Sequence, residues 1–124
     1  MDIDTILKNK KLIEDFDKAF AAVDLEFILS SMTDDVKWNM MGSKVMTGKA
    51  DVKRMMDDVA STPPEIIPTN MVAEGDRVIT EGVIKSVRKN GTPFKAYYSD
   101  SYLIVNGKIK EMNSYVIEIK ELPL

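Results

Sequence analysis

Residues 77–119 read RVITEGVIKSVRK-NG-TPFKAYYSDSYLIV-NG-KIKEMNSYVIEI. Three β-rich runs, Arg77 to Lys89, Thr92 to Val105 and Lys108 to Ile119, are separated by Asn90-Gly91 and Asn106-Gly107. Asn-Gly is the preferred pair for a two-residue hairpin turn, because both centres tolerate φ > 0. Two such turns in tandem predict an antiparallel meander. Strands of this length twist and coil strongly, and Gly82 is a natural place for a bend. Upstream, Glu65 to Glu74 is a further strand candidate, in which Pro68 requires an edge or a bulge, and Gly75-Asp76 is a turn.

The first half has helical periodicity. Leu12, Ile13, Phe16, Phe20 and Val23 recur at three- and four-residue spacing and form one apolar stripe. Asp24 can cap a second helix with the stripe Leu25, Ile28, Leu29 and Met32, which Thr33-Asp34-Asp35 ends. Val36, Trp38 and Met40 then alternate with Lys37 and Asn39, the pattern of a strand with one buried face. Gly42 and Gly48 bracket a loop. Val52, Met55, Met56 and Val59 mark a third helix, stopped by Pro63-Pro64. Helices first and strands later predict an α+β fold of one domain spanning 1–124: a cone of three N-terminal helices packed in a strongly curved antiparallel sheet. The mouth of such a cone is where a ligand pocket would form.

Composition narrows the chemistry. The chain has 124 residues, 44% hydrophobic and 30% charged, with a net charge of −3. A polyanion binder would carry a basic surplus, so no nucleic-acid partner is expected. No apolar stretch approaches a bilayer span and no signal peptide is visible, so neither a membrane nor export is expected. There is no cysteine and no histidine. Disulfides, thiolate nucleophiles, Ser-His-Asp triads and His- or Cys-ligated metals are thereby excluded. The missing cysteines fit a cytoplasmic location. Asp34-Asp35 and Asp57-Asp58 lack the ligand spacing of a calcium loop, so neither metal nor cofactor is expected. Catalysis would fall to carboxylates, Lys, Tyr, Arg, hydroxyls or the backbone.

The order of elements resembles the nuclear transport factor 2-like superfamily, in its SnoaL-like and ketosteroid-isomerase-like branch. The segments that carry the likeness are Phe20-Ala21-Ala22-Val23-Asp24-Leu25, Met32-Thr33-Asp34-Asp35-Val36-Lys37-Trp38, Thr47-Gly48-Lys49-Ala50 and the strand–turn–strand from Ser99 to Ile109. Each is weak alone; their order and spacing point to the fold, which hosts isomerases, cyclases, hydrolases and non-catalytic domains. Ketosteroid isomerases pair a carboxylate base with an oxyanion site of Tyr and a neutral Asp. Laid over this sequence without gaps, the base position falls at Met40, the Tyr position at Phe16 and the oxyanion Asp at Asp100. Met takes no proton and Phe donates no hydrogen bond, so steroid isomerisation of that type is not expected. Epoxide hydrolases of this fold use Asp–Arg–Asp around a water; those positions fall at Asp100, Tyr98 and Ser114, which breaks the pair that activates the water.

Asp100 is therefore the candidate catalytic residue. It shares one strand face with Tyr98 and Tyr102 by the two-residue period. Facing inward, its carboxyl would be desolvated and could hydrogen-bond a ligand as the neutral acid; facing outward, it would be an ordinary solvated Asp. Glu81 and Lys85 share a face with Ile79, Val83 and Val87. Gap-free matching makes this the pocket-facing set and Glu81 a displaced base, whereas a bulge near Gly82 would send both charges to water. The ligand-lining set expected is Phe16, Phe20, Trp38, Met40, Glu81, Tyr98, Tyr102, Met112, Ser114 and Val116. Nine methionines would suit either plain core filling or an adaptable apolar site. The expected partner is a small apolar or aromatic ligand, handled by acid/base chemistry of isomerase, cyclase or hydratase type; a non-catalytic dimeric module with a vestigial pocket is the other reading. Tyr97, Leu103, Tyr115, Ile117 and Ile119 leave the opposite sheet face apolar, which suggests a homodimer through the convex side.

Overall fold

The computed structural model describes residues 2–120. Helix α1 (Ile3–Ala22) starts well before the apolar stripe that reveals it, because the Asp2 carboxylate accepts a hydrogen bond from the Thr5 amide and caps the first turn. It ends at Val23, held left-handed at φ 55° while its N–H returns to helical carbonyls. Asp24 then caps α2 (Leu25–Ser30) through the Phe27 amide. Strand β1 (Met32–Met40) begins at once, so Thr33, Asp34 and Asp35 lie inside a strand instead of ending a helix. The segment between Gly42 and Gly48 also departs from a plain loop: it contains β2 (Lys44–Thr47), which folds back on β1 before α3 (Gly48–Val59).

Strands β3 (Glu65–Glu74), β4 (Arg77–Val87), β5 (Pro93–Val105) and β6 (Lys108–Glu118) form the expected meander. The six strands run in the order β2-β1-β6-β5-β4-β3, antiparallel throughout except where β1 lies parallel to β6. The two Asn-Gly pairs behave differently. Asn106 and Gly107 both take positive φ and join Val105 directly to Lys108. At the other, only Gly91 does so, and the connection widens to residues 88–92, because the Asn90 carboxamide accepts from both the amide and the hydroxyl of Thr92.

Pro68 sits on the edge strand β3, and the bulge falls there, between Pro68 and Asn70. Strand β4 itself pairs with β5 without interruption from Arg77↔Leu103 to Val87↔Pro93. Gly82 has a different purpose from a bulge. A Cβ there would stand 2.3 Å from the Ile67 carbonyl oxygen and 2.7 Å from Cε2 of Tyr98. Its missing side chain is the space into which the Tyr98 ring folds. The helices close the concave side of the sheet around a core of Ile13, Phe16, Ile28, Met32, Val36, Val52, Met56, Val78, Tyr102 and Ile109.

Candidate functional site

The inward face of the meander reads Val78, Thr80, Gly82 and Ile84 on β4; Tyr98, Asp100 and Tyr102 on β5; and Met112, Ser114 and Val116 on β6. Thr80, Asp100 and Ser114 are directly opposite one another across the three strands, and Ser114 is next to Met40 of β1. Asp100 and Ser114 of this row lie on the floor of a cavity of about 90 Å³ walled by Phe16 and Phe20 of α1, Trp38, Met40, Ile66, Ile84, Tyr98, Tyr102, Met112 and Val116. Tyr102, Phe16, Trp38, Met112 and Ser114 are buried at its base, whereas Val116 is 39% exposed at the mouth. The aromatic base is rigid: Phe16 meets Tyr102 edge-on at 5.9 Å and Phe20 meets Trp38 edge-on at 6.0 Å.

Ten of the residues expected at the pocket, Phe16, Phe20, Trp38, Met40, Tyr98, Asp100, Tyr102, Met112, Ser114 and Val116, line this one cavity. Glu81 does not. It is exposed on the outer face, opposite Ser99, where the Asn70 carboxamide donates to it at 3.3 Å. Lys85 is exposed as well. The matching that put both inside was one residue out of phase in β4; the unbroken pairing sets Thr80, Gly82 and Ile84 inward, which leaves Glu81 and Lys85 to water.

The cavity also holds a carboxylate the sequence reading passed over, Asp17 of α1. The hydroxyl of Tyr102 stands 3.3 Å from Oδ1 of Asp17 and 3.4 Å from Oδ2 of Asp100, so one phenol bridges two carboxyl groups. The signal was present: Asp17 is four residues after Ile13 and three before Phe20, on the flank of the buried stripe. Ile66 and Ile84 were also missed, the first because Pro68 obscures the strand pattern and the second because of the phase error.

Burial raises the pKa of Asp17, and the nearby Asp100 charge raises it further, to about 7 against a pull downward from the Tyr102 hydroxyl. Burial likewise raises Asp100, to about 6, opposed by hydrogen bonds from Ser114 and Tyr102. Ser114 is fixed by the Trp38 indole, whose N–H donates to its Oγ at 2.8 Å. That leaves the serine proton free for Asp100. Both phenols are pushed up, chiefly by burial and then by the two carboxylates, and so stay neutral hydroxyls. The Tyr98 hydroxyl is buried with no hydrogen-bond partner among the described residues, an expensive state that a polar ligand atom would relieve. Among the described residues, no lysine or arginine lines the cavity and no cluster of three acidic, His or Cys side chains is placed to hold a metal. No described helix is long and apolar enough to cross a membrane.

A helix-filled, curved six-stranded sheet of this order is the nuclear transport factor 2-like fold, and solved structures of that fold superpose closely. A putative SnoaL-like polyketide cyclase from Jannaschia sp. CCS1 matches with a TM-score of 0.81 at 16% identity, covering 94% of this chain and 90% of that one. An epoxide hydrolase of Mycobacterium tuberculosis described as LEH-like matches with a TM-score of 0.82 at 15% identity, over 90% and 84%. TerC, co-crystallised with polyporic acid, is 26% identical, with a TM-score of 0.77 over 87% and 90%. The SnoaL-like domain family matches residues 13–112, and the chain belongs to it. No curated protein matches the chain.

Proposed function

We propose that this protein binds a small apolar or aromatic ligand in the mouth of its curved sheet and acts on it by acid/base chemistry of isomerase, cyclase or hydratase type centred on Asp100. The observation that carries this reading is a carboxyl group with a raised pKa on the floor of a mostly apolar cavity. The rigid aromatic base suits a flat ring, and the unpartnered Tyr98 hydroxyl offers that ring a hydrogen bond. TerC, the relative crystallised with polyporic acid, supports an aromatic ligand. The residues at Met40 and Phe16 remove the base and the phenol of ketosteroid isomerases, so the chemistry differs from theirs.

The competing reading is a non-catalytic module whose pocket is vestigial. It predicts a cone filled by side chains with Asp100 hydrogen-bonded internally; Asp100 does accept from Tyr102, whereas an open cavity with an orphan hydroxyl favours the ligand. The outer sheet face, with Ile79, Tyr97, Tyr115 and Ile117 exposed, is read as a homodimer interface in either case. A thermal-shift screen against steroids, polyketides, aromatic acids and hydroxyquinones including polyporic acid tests the function. Stabilisation by one chemical class, weakened in Asp100→Asn, is the expected result. Silence across the screen leaves the module.

A further inference from the structure

We propose that Asp17 is a second catalytic residue: bridged to Asp100 by the Tyr102 hydroxyl, it keeps the one proton the pair holds and donates it to the ligand, while Asp100 serves as the base. This rests on the reading of the cavity as an acid/base site. Three observations carry it. The first is geometric. A phenol has a single proton to give, so between two carboxyl groups within reach it can donate to one and accept from the other only if that other is protonated. The bridge is satisfied at both ends when the pair carries one proton, and it fails when both groups are ionised, with two like charges facing each other in an apolar setting.

The second observation fixes which group is charged. Asp100 accepts from the Tyr102 hydroxyl and has Ser114 directly opposite it on β6, where that hydroxyl, held by the Trp38 indole, pulls the Asp100 pKa down. Asp17 has the Tyr102 hydroxyl alone. Donors favour the ionised form, so the carboxylate is Asp100 and the acid is Asp17. The raised pKa values, about 7 for Asp17 and about 6 for Asp100, lie in the same order. The third is the buried hydroxyl of Tyr98, a residue only 6% exposed that lines the same cavity, with no hydrogen-bond partner among the described residues. It is a polar group built for an atom the protein itself does not supply.

The step balances without an oxidant or reductant. The Asp100 carboxylate takes a proton from a C–H or O–H bond of the ligand, and that bond's electron pair stays on the ligand. The Asp17 carboxyl gives its proton to the ligand atom on which charge collects, an oxygen or a second carbon. The pair then has its proton on Asp100, and the Tyr102 hydroxyl restores the starting state by accepting from Asp100 as it donates to Asp17. Because the pocket carries one negative charge and no cation, its ligand is uncharged where it meets the pair. The other titratable groups near Asp17 are Tyr98 from β5 and, beside a neighbouring groove between α1 and β3, Glu14 and Lys18 of its own helix; β3 faces it with Ile66, Pro68 and Met71.

Carboxyl-carbon NMR titration of the full chain, with Asp17→Asn, Asp100→Asn and Tyr102→Phe, tests the pair. 2-Naphthol, a phenol that stays neutral across this pH range, serves as a fluorescent probe of ligand binding. In the unsubstituted chain, Asp17 is expected to titrate near neutrality and to fall in Asp100→Asn, where the neighbouring charge is gone. Probe binding should weaken as the pH rises past about 7, and this dependence should vanish in Asp17→Asn, whose amide still donates but does not ionise. An Asp17 that titrates in the ordinary carboxylate range, or that ignores residue 100, overturns the proposal even if the probe binds. Coupled titration with no ligand bound by any variant instead overturns the acid/base reading of the pocket, and the catalytic role of Asp17 with it.

Discussion

Two carboxyl groups held away from water make the folded state a proton sponge, and its stability must depend on pH in a defined direction. Unfolded, each Asp has the ordinary value of 3.8; folded, they stand at about 7 and about 6. Between these limits the folded chain binds more protons than the unfolded one, so stability falls as the pH rises through that window and levels off above it. Asp17→Asn removes the more strongly shifted group. It is expected to be near neutral at pH 4 and to stabilise the fold by on the order of 2 kcal/mol at pH 8. Urea midpoints at the two pH values check this, and an equal difference at both would count against a buried Asp17. A second residue-scale test concerns Gly82, where a methyl has no room between the Ile67 carbonyl and the Tyr98 ring. Gly82→Ala should cost about 1–3 kcal/mol in chemical denaturation and displace Tyr98 from the cavity; a change within a few tenths would mean that the two strands separate freely. Most of the cavity lining was legible residue by residue, because a two-residue period on two paired strands puts Tyr98, Asp100, Tyr102, Met112, Ser114 and Val116 on one face once any one of them is inside. Glu81 was misplaced because that period fixes a face only relative to a register. Asp17 was passed over because a charge on the flank of a helical stripe looks solvated until the sheet that covers it is known.

At the scale of elements, the feature hardest to foresee is the parallel contact between β1 and β6, which brings Trp38 and Met40 beside Met112 and Ser114. Local sequence specifies hairpins, since a turn such as Asn106-Gly107 carries its own pairing. A parallel neighbour some seventy residues away leaves no local mark. The same reasoning explains β2, four residues long and exposed at three of its four positions, which no hydrophobic pattern announces. Beyond the ladder, β1 and β6 are joined by the exposed Lys110–Asp35 ion pair at 2.8 Å and by the buried hydrogen bond from the Trp38 indole to Ser114. Ser114→Ala leaves that N–H without an acceptor and should cost about 1–3 kcal/mol. It also removes a donor from Asp100, whose pKa should rise further above its already raised value. Denaturant melts and carboxyl NMR on the same sample separate the effects. A stability loss with no movement of Asp100 would show that Ser114 serves the strands and not the acid.

For the whole molecule, one strand has two duties. The inward residues of β5 are Tyr98, Asp100 and Tyr102, the floor of the cavity; its outward residues Tyr97, Ser99, Ser101 and Leu103 belong to the convex face. Tyr97 is directly opposite Ile117 of β6, and the two are 58% and 68% exposed. With Ile79, Tyr115 and Val72 they leave an apolar surface on the side of the sheet that no helix covers. A second copy related by a two-fold axis would bury this surface against itself, with each Tyr97–Ile117 pair meeting its equivalent. Ile117→Lys places a charge at the centre of that contact while disturbing nothing inside one protomer, where exposed substitutions shift stability by about half a kcal/mol or less. Light scattering after gel filtration should give twice the 14.0 kDa chain mass for the unsubstituted protein and the single mass for the variant. The melting temperature of the former should rise with concentration, and that of the latter should not. Because β5 would carry that interface on one side and has Asp100 on the other, the monomeric variant should also bind pocket ligands more weakly, through a floor braced on its inner side alone. A single mass for the unsubstituted chain at micromolar concentration would remove the dimer and, with it, this route from the outer face to the cavity.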